Sequence, residues 1–275
     1  MPTAGPTTGP TIPERYFAAS DASLRGTRRT WWGTVVTDDR FPDVYDLNFA
    51  RVTEDAPDLT LDEVVADLEP PLRAAGSRHL QMVLMRPDAA PRLVAEATDA
   101  KLVLSSDVVM EFGGGPPKPD PEDGVERMEP GPALWEVVGR SQREFEITQP
   151  EVVEQLMRWN REVLAPNGRR YYVARRDDGQ AAGIGALQIA AGVGYVDDIV
   201  TFAEFRRRGV ATAIVGRIVR DAAEAGAAST FLLADEPGPI RLYRALGFRE
   251  TGHVRTLLGP APWAGGALSG RNAEG

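Results

Sequence analysis

The sequence predicts an α/β protein built on a mixed sheet, and three observations support this class. The chain has 275 residues, of which 43% are apolar and 26% charged, a balance typical of globular proteins. This length allows one large domain or two ordinary ones. Strand-like and helix-like patterns alternate through the second half, and glycines such as Gly226 and Gly247 stand where helical patterns stop.

A segment rich in glycine and proline divides the chain into two unequal halves. It reads FGGGPPKPDP at residues 112–121, a composition that cannot hold a helix or a central strand. We therefore predict a first domain at residues 1–114, a linker at 115–124 and a second domain at 125–275.

The second half predicts its elements in a definite order. Asp178-Gly179 is a strong hairpin signal, and Pro150 suits the first turn of a helix. The predicted order is a strand at 125–129, helices at 133–145 and 150–164, two strands joined at Asp178-Gly179, a strand at 194–202, a helix at 209–225, a strand at 229–235, a short helix at 239–248 and a strand at 252–258.

The first half shows a weak similarity to this order of elements. The helical pattern that ends at Ala74–Gly76 is followed by HLQMVLM, as the pattern that ends at Gly226 is followed by STFLLAD. Arg92-Leu93-Val94 then lines up with Arg241-Leu242-Tyr243. Two explanations stay open: an internal duplication, or ordinary β-α-β-α packing in both halves.

Composition narrows the classes of partner and site. The net charge of -9 disfavours nucleic acid as a partner, because proteins that bind it are usually basic. The absence of cysteine excludes disulfides, thiolate catalysis and cysteine–metal sites, and fits a cytoplasmic protein. We expect no metal, since His79 and His253 lie far apart in the sequence. We also expect no membrane segment, because no apolar run approaches about 20 residues. We expect no secretory signal, because the N-terminal residues include no basic region followed by an apolar one.

The stretch FRRRGVATAIV, at Phe205–Val215, indicates a site for an anion. A strand is expected to end near Thr201, and a helix to open at Gly209. The first turn of a helix has N–H groups without intrahelical partners, and its dipole favours negative charge there. A glycine at the bend lets the backbone approach a phosphate closely. The alternative is a solvated basic cap on an amphipathic helix.

Two motifs give this stretch a family context. Arg206-x-x-Gly209-x-Ala211 resembles motif A of the GNAT superfamily, the acyl-coenzyme A-dependent N-acyltransferases. Downstream, LYRALGF at Leu242–Phe248 resembles the Leu-Tyr-x-x-Leu-Gly-Phe motif of the same family. The resemblance covers roughly Val125–Leu258. The sequence departs from the family pattern at Glu236, where many members have asparagine, and at Ala203, where proline is frequent.

The resemblance implies a GNAT fold, in tandem with a degenerate GNAT-like first domain that has no coenzyme site. In the first domain, the segment that corresponds to the anion-site stretch is APDLTL at Ala56–Leu61, which has neither glycine nor arginine. Val94 would stand in the place of Tyr243. In the second domain, acetyl-coenzyme A is the implied co-substrate. The residues implied to bind it are Ile199, Val200, Thr201, Arg206, Arg207, Arg208, Gly209, Val210, Ala211 and Glu236.

The same resemblance implies catalytic roles for three residues. Tyr243 would act as the acid toward the departing thiolate; the alternative is ordinary packing of a helix tyrosine. Asp197 or Asp198 would serve the acceptor amine, or would simply be a polar strand end. Because strand side chains alternate, Asp197 is expected to share a face with Ile199 and Thr201, although a bulge would change this.

The predicted function is N-acetyl transfer from acetyl-coenzyme A to a primary amine, by direct transfer in a ternary complex. The expected partner is a small-molecule amine rather than nucleic acid or a membrane, and the chain is either a monomer or a homodimer. Alternatives are a non-catalytic acyl-coenzyme A sensor on the same fold and a regulatory module that binds no coenzyme. Trp31, Trp32, Trp135 and Trp159 offer aromatic surface for the acceptor, but core packing is the expected use of most of them.

Overall fold

A computed structural model describes residues 9–22, 24–114, 124–145 and 147–264. The predicted linker lies outside these residues, except for Gly124. The helices are α1 (Ile12–Asp21), α2 (Leu61–Ala75), α3 (Pro91–Asp99), α4 (Pro132–Glu144), α5 (Pro150–Trp159), α6 (Val210–Glu224) and α7 (Pro237–Ala245). The strands are β1 (Gly26–Arg29), β2 (Gly33–Thr37), β3 (Phe49–Val52), β4 (His79–Leu84), β5 (Val103–Phe112), β6 (Val125–Met128), β7 (Arg170–Arg175), β8 (Ala181–Ala190), β9 (Val193–Thr201), β10 (Ser229–Ala234) and β11 (Phe248–Pro260).

The described residues fall into two compact units. The first unit comprises those within 1–20, 108–153 and 157–252, and the second those within 21–107, 154–156 and 253–275. These units do not follow the predicted boundary at 115–124. Part of β5 belongs to the first unit and the end of β11 to the second.

The first unit contains a mixed sheet with helices on both faces. Its strands run in the order β11-β5-β10-β9-β8-β7-β6, and β9 and β10 are its parallel pair. Helix α6 connects these two strands, so they form a β-α-β crossover. One face packs on α6, with Ile214 and Ile218 fully buried, and the other on α4, with Leu134 fully buried.

The second unit has the same kind of core. Strands β1-β2-β3-β4 are followed by the end of β11, and β3 and β4 are parallel and connected by α2. The apolar side of α2, which includes Leu68 and Leu72, packs on Trp32 and the strands.

The element order supports the duplication. The crossover helices α2 and α6 each have 15 residues, β4 and β10 each have six, and α3 and α7 each have nine. These matching lengths agree with a duplication, and ordinary β-α-β-α packing is the alternative. When α3 and α7 are matched from their first residues, Ala97 rather than Val94 takes the place of Tyr243, and neither side chain carries a hydroxyl.

Most predicted elements of the second half are present, with shifted ends. Gly179 turns the predicted hairpin at φ 81°. The predicted helix at 150–164 is α5 followed by a π-helical turn at Asn160–Leu164. The last strand is longer than predicted, since β11 spans Phe248–Pro260.

A buried histidine makes the stability of the second unit depend on pH. His79 is 1% exposed, and its Nε2 lies 2.9 Å from the carbonyl oxygen of Asn48, to which it donates as a neutral ring. Burial lowers the pKa of His79 to about 4. In the unfolded chain, His79 therefore binds a proton below about pH 6.5, whereas in the folded chain it stays neutral down to about pH 4.

We expect the free energy of unfolding to fall by about 3 kcal/mol through this residue as the pH drops from about 6.5 to about 4. Urea unfolding of wild type and His79→Gln, followed by tryptophan fluorescence at several pH values, measures it. The advantage of the wild type over the variant should shrink as the solution becomes more acidic. Parallel pH curves for the two proteins would rule out this contribution.

Candidate functional site

A β-bulge in β9 sets the direction of the candidate catalytic carboxylates. Ala186 of β8 faces Asp197, whereas Ile184 faces Val200, so β9 contains one extra residue between the two pairs. Asp198 has φ 51°, the left-handed conformation that aspartate tolerates better than most residues. Asp197 therefore lies on the same face as Val200, and not on that of Ile199 and Thr201 as the plain alternation predicted.

Strands β9 and β10 separate just before this bulge. Their last parallel pair is Tyr195 with Phe231, whose rings stack at 4.8 Å between centroids. Beyond this pair, β10 continues along β5, while β9 continues along β8. The edge of β9 that includes Ile199, Val200 and Thr201 is therefore not bonded to β10, and the carbonyl of Thr201 accepts a hydrogen bond from Arg206.

The start of α6 lies at the end of this edge. Gly209 is the N-cap residue, with φ 79°, and no side chain caps the helix. The amide of Ala213 makes the first bond to a carbonyl four residues earlier, that of Gly209. The N–H groups of Val210, Ala211 and Thr212 thus precede the intrahelical bonds, and the first turn contains no acidic residue. This end of the helix is suited to an anion.

Glycines in β8 let α6 approach the sheet closely. A Cβ atom on Gly183 would lie 2.7 Å from Cγ1 of Val210, and one on Gly185 would lie 2.6 Å from Cγ2 of Ile214. Both distances are too short for real contacts, so these two positions require glycine. The glycines therefore help to fix the start of the helix against the strands.

The three arginines of the loop have different roles. Arg206 donates from Nη2 to Oε2 of Glu144, at 2.7 Å, and from Nε to the carbonyl of Thr201, at 3.3 Å. Its side chain thus ties the loop to α4. Arg207, at φ 62°, and Arg208 are exposed, and neither side chain has a hydrogen bond or ion pair with the described part of the chain. The charge available to an anion therefore comes chiefly from Arg207 and Arg208.

The corresponding helix start in the second unit is filled by the chain itself. Thr60 and Glu63 form a capping box at the start of α2: each side chain accepts from the main-chain N–H of the other. Oε2 of Glu96 accepts from the N–H of Leu61 at 2.8 Å. Two carboxylates occupy the place an anion would need.

Tyr243 lies on α7, in the core of the first unit. It is 7% exposed, and its ring lies 6.0 Å from that of Phe248. Burial, and then the negative charge of Asp197, raise the pKa of Tyr243 to about 12. The phenol is therefore neutral at every working pH, and it lies near enough to Asp197 to be affected by its charge.

Asp197 and Asp198 both bind one guanidinium. Nη2 of Arg169 donates to Oδ2 of Asp197 at 2.9 Å and to Oδ2 of Asp198 at 2.5 Å. The two carboxylates therefore share one partner, although they are neighbours in the sequence. Arg169 was missed from the sequence because no local pattern marks it, and it lies 28 residues before Asp197. Glu144 was missed for the same reason, whereas Thr60-x-x-Glu63 is a readable capping signal.

The other predicted residues are spread over both units. Glu236 is the N-cap of α7, is exposed and makes no side-chain capping bond. Trp135 contacts the ring of Tyr171 edge-on, at 5.8 Å between centroids. Trp32 is fully buried in the core of the second unit, so it serves packing. Trp31 is also in the second unit and is exposed.

In the part of the chain that the structure describes, no helix combines the length and the apolar character needed to cross a membrane. The same residues contain no group of three or more histidine, aspartate or glutamate side chains that could hold a metal ion.

Comparisons with known proteins agree with this arrangement. Residues 134–248 match the model of the acetyltransferase (GNAT) family. A GCN5-related N-acetyltransferase from Kribbella flavida is similar in structure, with a TM-score of 0.66 at 20% identity over 93% of this chain and 97% of that one. A functionally unknown conserved protein from Staphylococcus epidermidis ATCC 12228 gives a TM-score of 0.66 at 11% identity, over 84% of this chain and 92% of that one.

A tandem GNAT protein from the clavulanic acid biosynthesis pathway gives a TM-score of 0.52 at 16% identity, over 73% of this chain and 69% of that one. A comparison with curated proteins gives no match. At these identities the solved structures show the fold, and the family model covers the residues that build the site. Residues 134–248 therefore match the acetyltransferase (GNAT) family, and the chain has a GNAT fold.

Proposed function

We propose that this protein transfers the acetyl group of acetyl-coenzyme A to a primary amine of a small molecule, directly, in a ternary complex. The observation that supports it most is the convergence of four features in the first unit. These are the open edge of β9, the uncapped start of α6, the neutral phenol of Tyr243 and the carboxylate of Asp197.

The coenzyme would be held chiefly by main-chain groups. The N–H groups of Val210, Ala211 and Thr212 lie at the uncapped start of α6, and they suit a pyrophosphate. Arg207 and Arg208 add positive charge. The edge of β9 at 199–201 would bond the amide groups of the pantetheine arm as a further strand would.

In the transfer, the amine nitrogen attacks the acyl carbon, a C–N bond forms, and the C–S bond breaks. The sulfur leaves with negative charge. A phenol with a pKa of about 12 does not readily give its proton to a thiolate whose acid has a pKa near 8.5. Tyr243 therefore acts as a hydrogen-bond donor that stabilises the sulfur as it leaves, and the thiolate takes its proton from water.

The acceptor would bind next to Asp197. A primary alkyl ammonium has a pKa near 10.4, so it arrives charged and must lose a proton before it attacks. Oδ1 of Asp197 has no hydrogen bond to the described residues, and its side chain is 30% exposed. It can orient the ammonium and accept the proton, directly or through water.

We propose one coenzyme site per chain, with a degenerate first domain. The cap of α2, made by Thr60, Glu63 and Glu96, supports this assignment, because it repels a phosphate. Calorimetry of the whole chain with acetyl-coenzyme A tests the number of sites. Two equivalents bound per chain would contradict it.

The competing function is a coenzyme sensor without catalysis. A panel of small primary amines, amine-bearing antibiotics and peptides, incubated with acetyl-coenzyme A, separates the two by thiol release. A transferase releases thiol with at least one amine faster than with water. Binding of coenzyme without such release across the panel would favour the sensor.

The two aspartates offer a matched pair of substitutions. We expect Asp197→Asn to lower turnover about tenfold or more and to change the pH profile, because Asp197 has the available oxygen and lies near Tyr243. Asp198→Asn should retain turnover within about threefold, since asparagine tolerates the left-handed conformation. Steady-state kinetics with an accepted amine measures both. Equal losses in the two variants would contradict the assignment of Asp197.

A further inference from the structure

A buried arginine holds the two carboxylates of the site together. The Arg169 side chain is 3% exposed, whereas those of Asp197 and Asp198 are 30% and 37% exposed. Neighbouring residues on a regular strand point to opposite faces, so one nitrogen could not reach both carboxylates. The bulge at Asp198 makes this bifurcated contact possible.

The ion pair also accounts for the backbone of the bulge. Asp198 is in the left-handed region, which is unfavourable for an L-residue. A charge-assisted hydrogen bond to a buried guanidinium stabilises by a comparable amount. Arg169 therefore offsets the strain at Asp198, and removing the guanidinium removes a main reason for β9 to keep its extra residue.

The surroundings of Arg169 fix its charge. Burial by itself lowers the pKa of Arg169, but the charges of Asp197 and Asp198 outweigh it and raise the pKa. The ring of Tyr171 lies 5.9 Å from the guanidinium, and its hydroxyl donates to Oδ1 of Asn160. Two carboxylates and one guanidinium have a formal charge of -1, which suits a cation and not an anion at the acceptor position.

Arg169 has a further donor that the chain does not satisfy. Its Nε atom is buried and has no hydrogen-bond partner in the described residues. A residue chosen for stability alone would be expected to use this donor. The position of Arg169 is explained better if its role is to direct Nη2 at both aspartates.

We propose that Arg169 is a positioning residue for the acceptor: it fixes the bulge so that Asp197 presents its free oxygen to a cationic amine. The inference rests on the proposed function and names the charge class of its substrate. Arg169 does not touch the reacting atoms. Its effect passes through the position of Asp197.

The test uses benzylammonium as a probe and benzyl alcohol as its neutral counterpart, without coenzyme. Binding of each to the full chain is measured by saturation-transfer NMR. A charge-assisted hydrogen bond should give wild type about a tenfold preference for the cation. Because no acetyl transfer is involved, this result is independent of thiol release, so failure of the proposed function and failure of this inference are distinguishable.

Three variants decide the role of the guanidinium. Arg169→Gln should lose the preference, because Asp197 is no longer held, although the site has become more negative. Arg169→Lys should recover part of it. Arg51→Gln is the matched control, since Arg51 is equally buried and bonds Asp21 with both Nε and Nη2, but lies in the second unit. It should retain the preference.

Opposite results overturn the proposal. A stronger preference for the cation in Arg169→Gln would mean that Arg169 acts by its charge alone and does not position Asp197. No preference in wild type would exclude a cation subsite. If Arg169→Gln does not fold, Asp198→Gly serves instead, because glycine accepts φ 51° and Arg169 still holds Asp197. Loss of the preference in that variant would also overturn the proposal.

Discussion

Gly209→Val should abolish binding of acetyl-coenzyme A, with at least a 100-fold loss of affinity, about 2.7 kcal/mol. A Cβ atom at Gly209 would meet no protein atom within 4 Å, so a valine there would extend into the open space beside the helix start, where we propose that the phosphate binds. It would keep the anion away from the N–H groups of Val210 and Ala211. Each such charge-assisted bond is worth about 1.5–3 kcal/mol, which supports the size of the effect.

The control for this substitution lies at the other end of the same helix. Gly226 follows α6 with φ 81°, and its Cβ position is also empty, so Gly226→Val imposes the same backbone strain. Calorimetric titration of both variants with acetyl-coenzyme A, together with their melting temperatures, separates the effect of backbone strain from that of blocking the proposed phosphate site. Similar melting temperatures with binding lost in Gly209→Val alone are expected. If Gly209→Val binds the coenzyme as Gly226→Val does, the helix start is not the pyrophosphate site.

Tyr243→Phe should lower turnover by about 10²-fold while the affinity for acetyl-coenzyme A changes little. The substitution removes one oxygen from a ring that packs in the core, so packing should be preserved. The usual range for proton-transfer catalysis is about 10²–10⁴-fold. We expect the low end because a phenol with a pKa of about 12 donates a hydrogen bond without transferring its proton. Thiol release at saturating coenzyme, with an accepted amine, measures the change.

Tyr172→Phe is the matched control. Tyr172 belongs to the same core cluster and donates its hydroxyl to Oδ2 of Asp221, at a distance of 2.9 Å, away from the open edge of β9. Its loss should cost stability and leave turnover within about twofold. Full activity in Tyr243→Phe would assign Tyr243 to packing. The wild-type profile should also show no decline between pH 8 and 10 from Tyr243, since its phenol stays protonated there.

Local signals were sufficient for the element order of the second half and for the helix start at Gly209. A strand, a loop with Gly209 and an amphipathic helix can be recognised from a few neighbouring residues, because caps, turns and periodicity act over one or two helical turns. Tyr243 was found by its motif, and its burial agrees with the short helix predicted for it. The duplication was left open by the sequence, because weak similarity of residues does not distinguish it from common packing.

Domain limits depended on pairings between distant segments. The sequence marks a boundary at 115–124, where glycine and proline prevent regular structure. The strand just before it, β5, pairs with β10, and the strand that ends the second half, β11, pairs with β4. Neither pairing leaves a local signal, since a strand shows which of its faces is apolar but not which strand lies beside it.

The sequence by itself determined the resemblance of the second half to the GNAT family, the helix start at Gly209 and the place of Tyr243 on the short helix after β10. Only the tertiary structure decided which face Asp197 occupies, because one extra residue in β9 reverses the alternation and nothing in VDDIV marks it. It also decided that Arg206 binds Glu144 and that Arg169 binds both aspartates. These contacts join residues that are far apart in the chain. Such charge pairs form wherever the fold brings the groups close together, and the spacing of residues along the sequence does not reveal that proximity.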